Sequence, residues 1–399
     1  MKNFEKFLPP KGRSEQARST AVGGQFLIIR IVNIDMAREV LFDFLRAALW
    51  DELRTKTITK HFVTKTGTEL DEVLALAEQQ TVTPLVLQAM EQAQVELSKE
   101  GRRRMLIYTQ KSVKHNRKLN QEIGALVTLF HQHDIDYVVV KGQVLASYYA
   151  HPVLRQGGDI DFYCDTENFS RAHDIIRQEW EVEEHHSDPG FHEHFSRHGI
   201  DFEMHYSLVH LHNRQKDAHW EQLLREAPRV TVDIDGCPVK TLHPTVHSLY
   251  VFLHLWNHLV ELGVGLRQFC DWAMILHRCS KEIDRQTLRK HLKVFGLEKT
   301  YRACGCILVD KLGLPAADFP YELTAKDRKY SRRILDVVFY RGNMGLYNRV
   351  GGVRGWKHVV EATFVKISHF VKFYPMAPGY MREWGWNRVT QISRISQNS

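Results

Sequence analysis

Residues 141–165 read Lys141-Gly142-Gln143-Val144-Leu145-Ala146-Ser147-Tyr148-Tyr149-Ala150-His151-Pro152-Val153-Leu154-Arg155-Gln156-Gly157-Gly158-Asp159-Ile160-Asp161-Phe162-Tyr163-Cys164-Asp165. They follow Tyr137-Val138-Val139-Val140, a β-branched run that predicts a buried strand. Gln143–Ala150 then reads as a helix. Asp159–Cys164 alternates acids with apolar residues, the pattern of a second strand. Asp201-Phe202-Glu203-Met204-His205 repeats that alternation and predicts a third.

The strand assignment carries the chemistry. Residues i and i+2 of a strand point to one face, about 7 Å apart along the backbone. Asp159 and Asp161 can therefore converge on one divalent cation, or on two ions about 4 Å apart. Glu203 is the candidate third carboxylate, because its neighbours Phe202 and Met204 would face the other way. Magnesium favours a few carboxylates together with water and phosphate oxygens, so Asp159, Asp161 and Glu203 are expected to hold Mg²⁺ (or Mn²⁺). Gly142 ends a strand and opens a helix, which would let backbone N–H groups approach a phosphate. Lys141 and Arg155 would neutralise a triphosphate as charge moves to the leaving group. His205, two residues beyond Glu203, faces the same cleft, either on a carboxylate or phosphate or as a hydrogen-bonded half-buried side chain.

The surrounding chain reads as helix. Leu41, Leu45 and Leu49 fall on one face, as do Leu70, Val73, Leu74 and Ala77. Thr83-Pro84 opens another helix with proline in its first turn, and a long helix is expected from about Ser98 to His133. Its Arg102-Arg103-Arg104 run is a phosphate-facing patch or a solvated face. Phe169–Trp180 is also expected to be helical. Two short strands near Arg229–Asp233 and Val239–Thr241 straddle an Asp235-Gly236 turn. Beyond Pro244 helical periodicity returns, with Val246, Leu249, Phe252, Leu253, Trp256 and Leu259 as a stripe. The predicted division is an extension over 1–34, poorly ordered and rich in Pro, Gly, Ser and Arg; a helical region over 35–135; a core over 136–243; and a helical region over 244–399. The fold class is α+β, a small mixed β-sheet core with helices, flanked by N-terminal and C-terminal helical regions.

Composition bounds the alternatives. A net charge of +7 over 399 residues is a mild basic excess, compatible with phosphate-rich ligands without requiring them. The six cysteines form no CxxC pair, which suggests reduced thiols and a cytoplasmic protein. No apolar run reaches membrane-spanning length, and the start reads as no secretory leader.

The quoted stretch resembles the signature of an uncharacterised bacterial nucleotidyltransferase family within the polymerase-β superfamily. The resembling features are a strand ending in Lys141-Gly142, a Leu-Ala helix with a tyrosine, Pro152-x-x-Arg155 and Asp159-Ile160-Asp161. Phe202–Leu208 and Gly265–Asp271 match later elements of the same pattern, and the likeness runs from about residue 36 to 280. It implies a nucleotidyltransferase core that binds metal at Asp159, Asp161 and Glu203 and nucleotide at Gly142. The implied reaction moves a nucleoside monophosphate from an NTP to a hydroxyl or phosphate acceptor, with Glu203 as the third ligand or as the base that receives the acceptor's proton. One departure stands out. The wider superfamily has Gly-Ser or Gly-Gly, whereas this chain has Gly142-Gln143 and so lacks a hydroxyl donor to phosphate. That departure favours the alternative of a catalytically weak binding module, antitoxin-like or regulatory, acting with a partner protein. A glycosyltransferase also uses D-x-D, but the long alternating βαβ pattern before it is missing.

Three further groups have competing readings. His185-His186 and His192-Glu193-His194 invite a zinc site, against a substrate-side loop or a sheet edge. Arg267 and Asp271 suit an i,i+4 ion pair, against an arginine facing substrate. The Arg/Trp/Tyr-rich C-terminal segment suits packing on the preceding helices, against base stacking or contact with a membrane surface.

Overall fold

The computed structural model describes residues 23–50, 67–185, 192–347 and 356–397. The stretch 1–22, His186 and Arg354-Gly355 lie outside them. Four helices precede the first strand: α1 (Gly23–Trp50), α2 (Gly67–Gln79), α3 (Thr83–Gln92) and α4 (Lys99–Gln132). The first of them begins inside the stretch read as an extension. Ser98 starts α4 by accepting a hydrogen bond from the Gly101 amide at 3.0 Å, which satisfies one orphan donor of the first turn. Arg102 and Arg103 on that helix are exposed.

A mixed sheet follows, built from β1 (Val138–Val140), α5 (Gly142–Ala146), β2 (Ile160–Tyr163), α6 (Thr166–Glu179), β3 (Glu183–Glu184), β4 (His192–Arg197) and β5 (Ile200–His205). The strand order is β1-β2-β5-β4-β3. Strands β2 and β5 run parallel, and the other neighbours are antiparallel. The helix expected over Gln143–Ala150 is thus only five residues long. Strand β4, in the histidine-rich stretch, carries His192 and His194 and lies between β5 and the two-residue edge strand β3.

The two faces of the sheet differ. Val139, Ile160, Phe162, Phe202 and Met204 are buried against Leu119, Ile123, Leu126 and Phe130 of α4 and Ala172 and Ile176 of α6. Each such aliphatic or aromatic side chain contributes about 1.5–3 kcal/mol by leaving water. The opposite face carries Asp161, Glu203 and His205. It looks toward the helical half of the molecule, whose larger core includes Val138, Val140 and Tyr163 from the sheet.

After α7 (Arg214–Glu226) comes the hairpin β6 (Arg229–Ile234) and β7 (Cys237–Leu242). Asp235 (φ 52°) and Gly236 (φ 80°) form its expected two-residue turn, whose left-handed backbone suits the twist of the strands. The remaining helices are α8 (Pro244–Glu261), α9 (Leu266–Arg278), α10 (Arg285–Phe295), α11 (Glu298–Cys306), α12 (Ala325–Arg341), α13 (Trp356–Phe373) and α14 (Pro378–Gln397). The C-terminal aromatics divide between two roles. Phe373 and Tyr380 pack on Trp256 with ring centroids 5.3 and 5.8 Å away, and the Trp384 indole donates to Glu261 at 2.6 Å. Phe364 (69% exposed) and Trp386 (70%) face outward. Among the described residues no helix is long and apolar enough to cross a membrane.

Candidate active site

Parallel pairing of β2 with β5 sets Asp161 directly beside Glu203 in register. Alternation along β5 then brings His205 to the same face. One donor atom each from Asp161, Glu203 and His205 lies within 4.8 Å of the others. His205 Nε2 sits 3.0 Å from Asp161 Oδ1 and 3.5 Å from Glu203 Oε2. Asp159 precedes β2, is half-buried, and falls outside this compact group.

The Lys141 ammonium reaches the group at 2.6 Å from Asp161 Oδ1. Burial alone would pull Lys141 below its ordinary pKa, but Asp161, Tyr250, Glu203 and Asp159 together hold it above. Burial likewise pushes Glu203 upward, yet the His205 hydrogen bond and nearby Lys141 win and leave it at about 2. Burial disfavours charged His205, but its bonds to Asp161 and Glu203 raise it overall. Burial, and then the neighbouring Asp161 charge, raise Asp159.

The turn before α5 has an unusual backbone. Lys141 (φ 56°) and Gly142 (φ 39°) both adopt positive φ. A Cβ on Gly142 would lie 3.3 Å from the Asp159 carbonyl oxygen. Glycine is thus needed where the β1–α5 turn meets the entry to β2. Gln143 is buried and its amide donates to Asn120 of α4. It points into the interior where the wider pattern would offer a hydroxyl.

Arg155 has a different environment from the one expected. It is 4% exposed and grips Asp271 of α9 with Nε at 2.7 Å and Nη2 at 2.8 Å, while the Tyr149 hydroxyl donates to the same carboxylate at 2.8 Å. The i,i+4 pairing of Arg267 with Asp271 is therefore replaced by a long-range one. Arg267 instead donates to the Gln156 carbonyl at 2.8 Å, and its charge is felt at Asp159.

Sequence reasoning missed the polar face of α8. Tyr250, His254 and His258 recur at i and i+4, opposite the apolar stripe, and that spacing was the available signal. Tyr250 hydrogen-bonds Lys141. Burial and then Lys141 depress both histidines, His258 to about 4 and His254 well below its usual range. Helix α8 therefore presents neutral imidazoles toward the carboxylates and Lys141.

The model of a family described as "Uncharacterised nucleotidyltransferase" matches residues 66–312, more than half of the chain. The chain belongs to this family. No curated protein matches. Among solved structures, the crystal structure of an antigenic nucleotidyltransferase-like protein from Paracoccidioides brasiliensis is similar at 15% identity and a TM-score of 0.33. That likeness covers 53% of this chain and 96% of the other. The matched family segment contains the mixed sheet, Lys141, Asp159, Asp161, Glu203, His205 and Arg267.

Proposed function

We propose that this protein is a metal-dependent nucleotidyltransferase of polymerase-β type, moving a nucleoside monophosphate from an NTP to a hydroxyl or phosphate acceptor. The convergence of Asp161, Glu203 and His205 donors on one sheet face carries the reading. Those residues suit a hard divalent cation: two carboxylates come together, and a cationic ammonium already lies 2.6 Å from one of them. Asp161 and Glu203 would hold Mg²⁺ or Mn²⁺, with Asp159 and His205 beside them. Bound there, the ion supplies charge neutralisation for the triphosphate and its leaving oxygens.

The side chains divide the remaining work. Glu203, held near 2, stays ionised at neutral pH, which suits a ligand better than a base. Asp159, with its raised pKa, is the better acceptor for the proton lost by the attacking hydroxyl. The acceptor oxygen bonds to the α-phosphorus, the bond to the bridging oxygen breaks, and pyrophosphate leaves. Lys141 and Arg267 neutralise the charge that accumulates on it. The test is incubation with labelled NTPs, Mg²⁺ and a panel of hydroxyl acceptors. Turnover is expected with the wild-type chain and is expected to vanish in Asp161→Asn and in Glu203→Gln. Unchanged turnover in those variants would overturn the assignment.

A second reading is favoured by two observations. Arg155 is engaged by Asp271, which removes one anticipated phosphate contact, and Gln143, standing where the wider pattern has a hydroxyl, is engaged by Asn120. A nucleotide-binding module with little turnover would fit that arrangement. Calorimetry with and without Mg²⁺ separates the two, since metal-independent nucleotide binding without turnover marks the module.

A further inference from the structure

Strand β4 extends the polar face of the sheet beyond the candidate active site. His194 is the register partner of Glu203, and Ser196 of Asp201. His185, just after β3, donates its backbone N–H to the His194 carbonyl at 3.2 Å, so the two histidines face each other across the ladder. Their rings lie 4.7 Å apart, centroid to centroid. His185 Nε2 is 3.9 Å from Asp201 Oδ1 and 2.6 Å from Ser196 Oγ, and the Ser196 hydroxyl in turn donates to Asp201. One donor atom each from His185, His194 and Asp201 falls within 4.8 Å of the other two. This group shares no residue with the Asp161, Glu203 and His205 group.

From this geometry we propose a second cation site at His185, His194 and Asp201, one that takes a zinc-class ion (Zn²⁺, Co²⁺ or Ni²⁺). Two imidazoles and one carboxylate form a borderline-soft donor set, which suits these metals and not magnesium. Around an ion bound at about 2.0–2.1 Å, tetrahedral donors are roughly 3.3 Å apart. The ladder supplies preorganisation, because each ligand stands on or beside a paired strand. The Ser196 hydroxyl orients Asp201, the kind of outer contact that fixes a ligand carboxylate. All three ligands are partly exposed, so the ion has a route in and water fills the fourth position. The bound ion would join the end of β3 to β5 across β4.

The chelator-treated full-length chain would be titrated with Zn²⁺ in excess Mg²⁺ and followed by calorimetry, with Co²⁺ absorption reporting coordination geometry. We expect a tetrahedral site of micromolar or tighter affinity. His194→Asn should lower the zinc stoichiometry by one per chain, and Asp201→Asn should weaken that site at least tenfold. Asp161→Asn combined with Glu203→Gln should leave it in place. Circular dichroism of each variant checks folding, and His185→Gln provides an independent removal of one ligand. The proposal is overturned by an absence of zinc binding at 100-fold above micromolar concentration, about 2.7 kcal/mol weaker than expected. Full stoichiometry in folded His194→Asn and His185→Gln, or loss of the site in the Asp161/Glu203 variant, would overturn it as well. Because this readout needs no nucleotide, failure here and failure of the transferase reading are separate results.

Discussion

Arg155 and Asp271 meet as a two-point ion pair at 2.7 and 2.8 Å, each side chain 5% exposed, although 116 positions separate them in the sequence. The pair fastens the segment leading into β2 to α9, and so sets where Asp159 and Asp161 emerge. Removing one partner leaves the other charge buried without compensation. Asp271→Ala is expected to cost about 3–5 kcal/mol of unfolding free energy. Urea denaturation measures it. A loss below about 1 kcal/mol would mean that water or the nearby Asp159 carboxylate takes over as partner of Arg155.

Lys141 occupies Asp161 at 2.6 Å, so a divalent cation entering the site must compete with an ammonium. Lys141→Met removes that competition. Nucleotide-free Mg²⁺ affinity should rise by about tenfold, equivalent to roughly 1.4 kcal/mol. Turnover with NTP should fall, because the triphosphate loses a counter-charge. Calorimetry of the metal alone, set beside the rate assay, checks both directions.

His247 is fully buried, stacks on Tyr250 with ring centroids 6.4 Å apart, and is depressed by burial to about 3. Its unfolded value is near 6.5. Between those values the unfolded chain binds the proton and the folded chain does not. This group's stabilising contribution is therefore complete above pH 6.5 and is lost as pH falls toward 3. The expected slope is about 1.4 kcal/mol per pH unit for one proton. His247→Leu should flatten the stability profile of the chain by that one proton's share between about pH 4 and 6, as read by denaturant midpoints at each pH. An unchanged profile would place the neutral-to-charged transition elsewhere.

Gly142 combines φ 39° with tight surroundings, since a Cβ at this position would stand 3.3 Å from the Asp159 carbonyl oxygen. Gly142→Ala is expected to destabilise the fold by about 1–2 kcal/mol through backbone strain. It should also lower transferase turnover by displacing Asp159. Stability equal to wild type would show that the turn can relax without this glycine.

Much of the central sheet was legible because its strands alternate on an apolar core. Phe202 and Met204 face inward and Glu203 outward, and that pattern alone identified Glu203 as a neighbour of the aspartates. Strand β4 was not legible as a strand. His192, His194 and Ser196 line one face while Glu193, Phe195 and Arg197 line the other, so no apolar alternation marks it. The role of Asp271 was hidden for another reason: a local partner four residues away explained it sufficiently, and nothing in the sequence reports a contact with Arg155. Helix α8 was recognised by its stripe of Leu and Phe, which drew attention from the histidines on its other side.

The sheet has one further consequence. A shift of β5 by one residue against β2 would exchange Glu203 for Phe202 or Met204 beside Asp161, turning a hydrophilic cleft into a greasy one. The alignment that prevents this is enforced from behind, by rings and methyl groups that never meet a substrate. Phe195 and Phe202, stacked 4.9 Å apart on that hidden side, thereby act as guarantors of the chemistry in front. Damage to the dry side of the molecule would thus surface as a defect on its wet side.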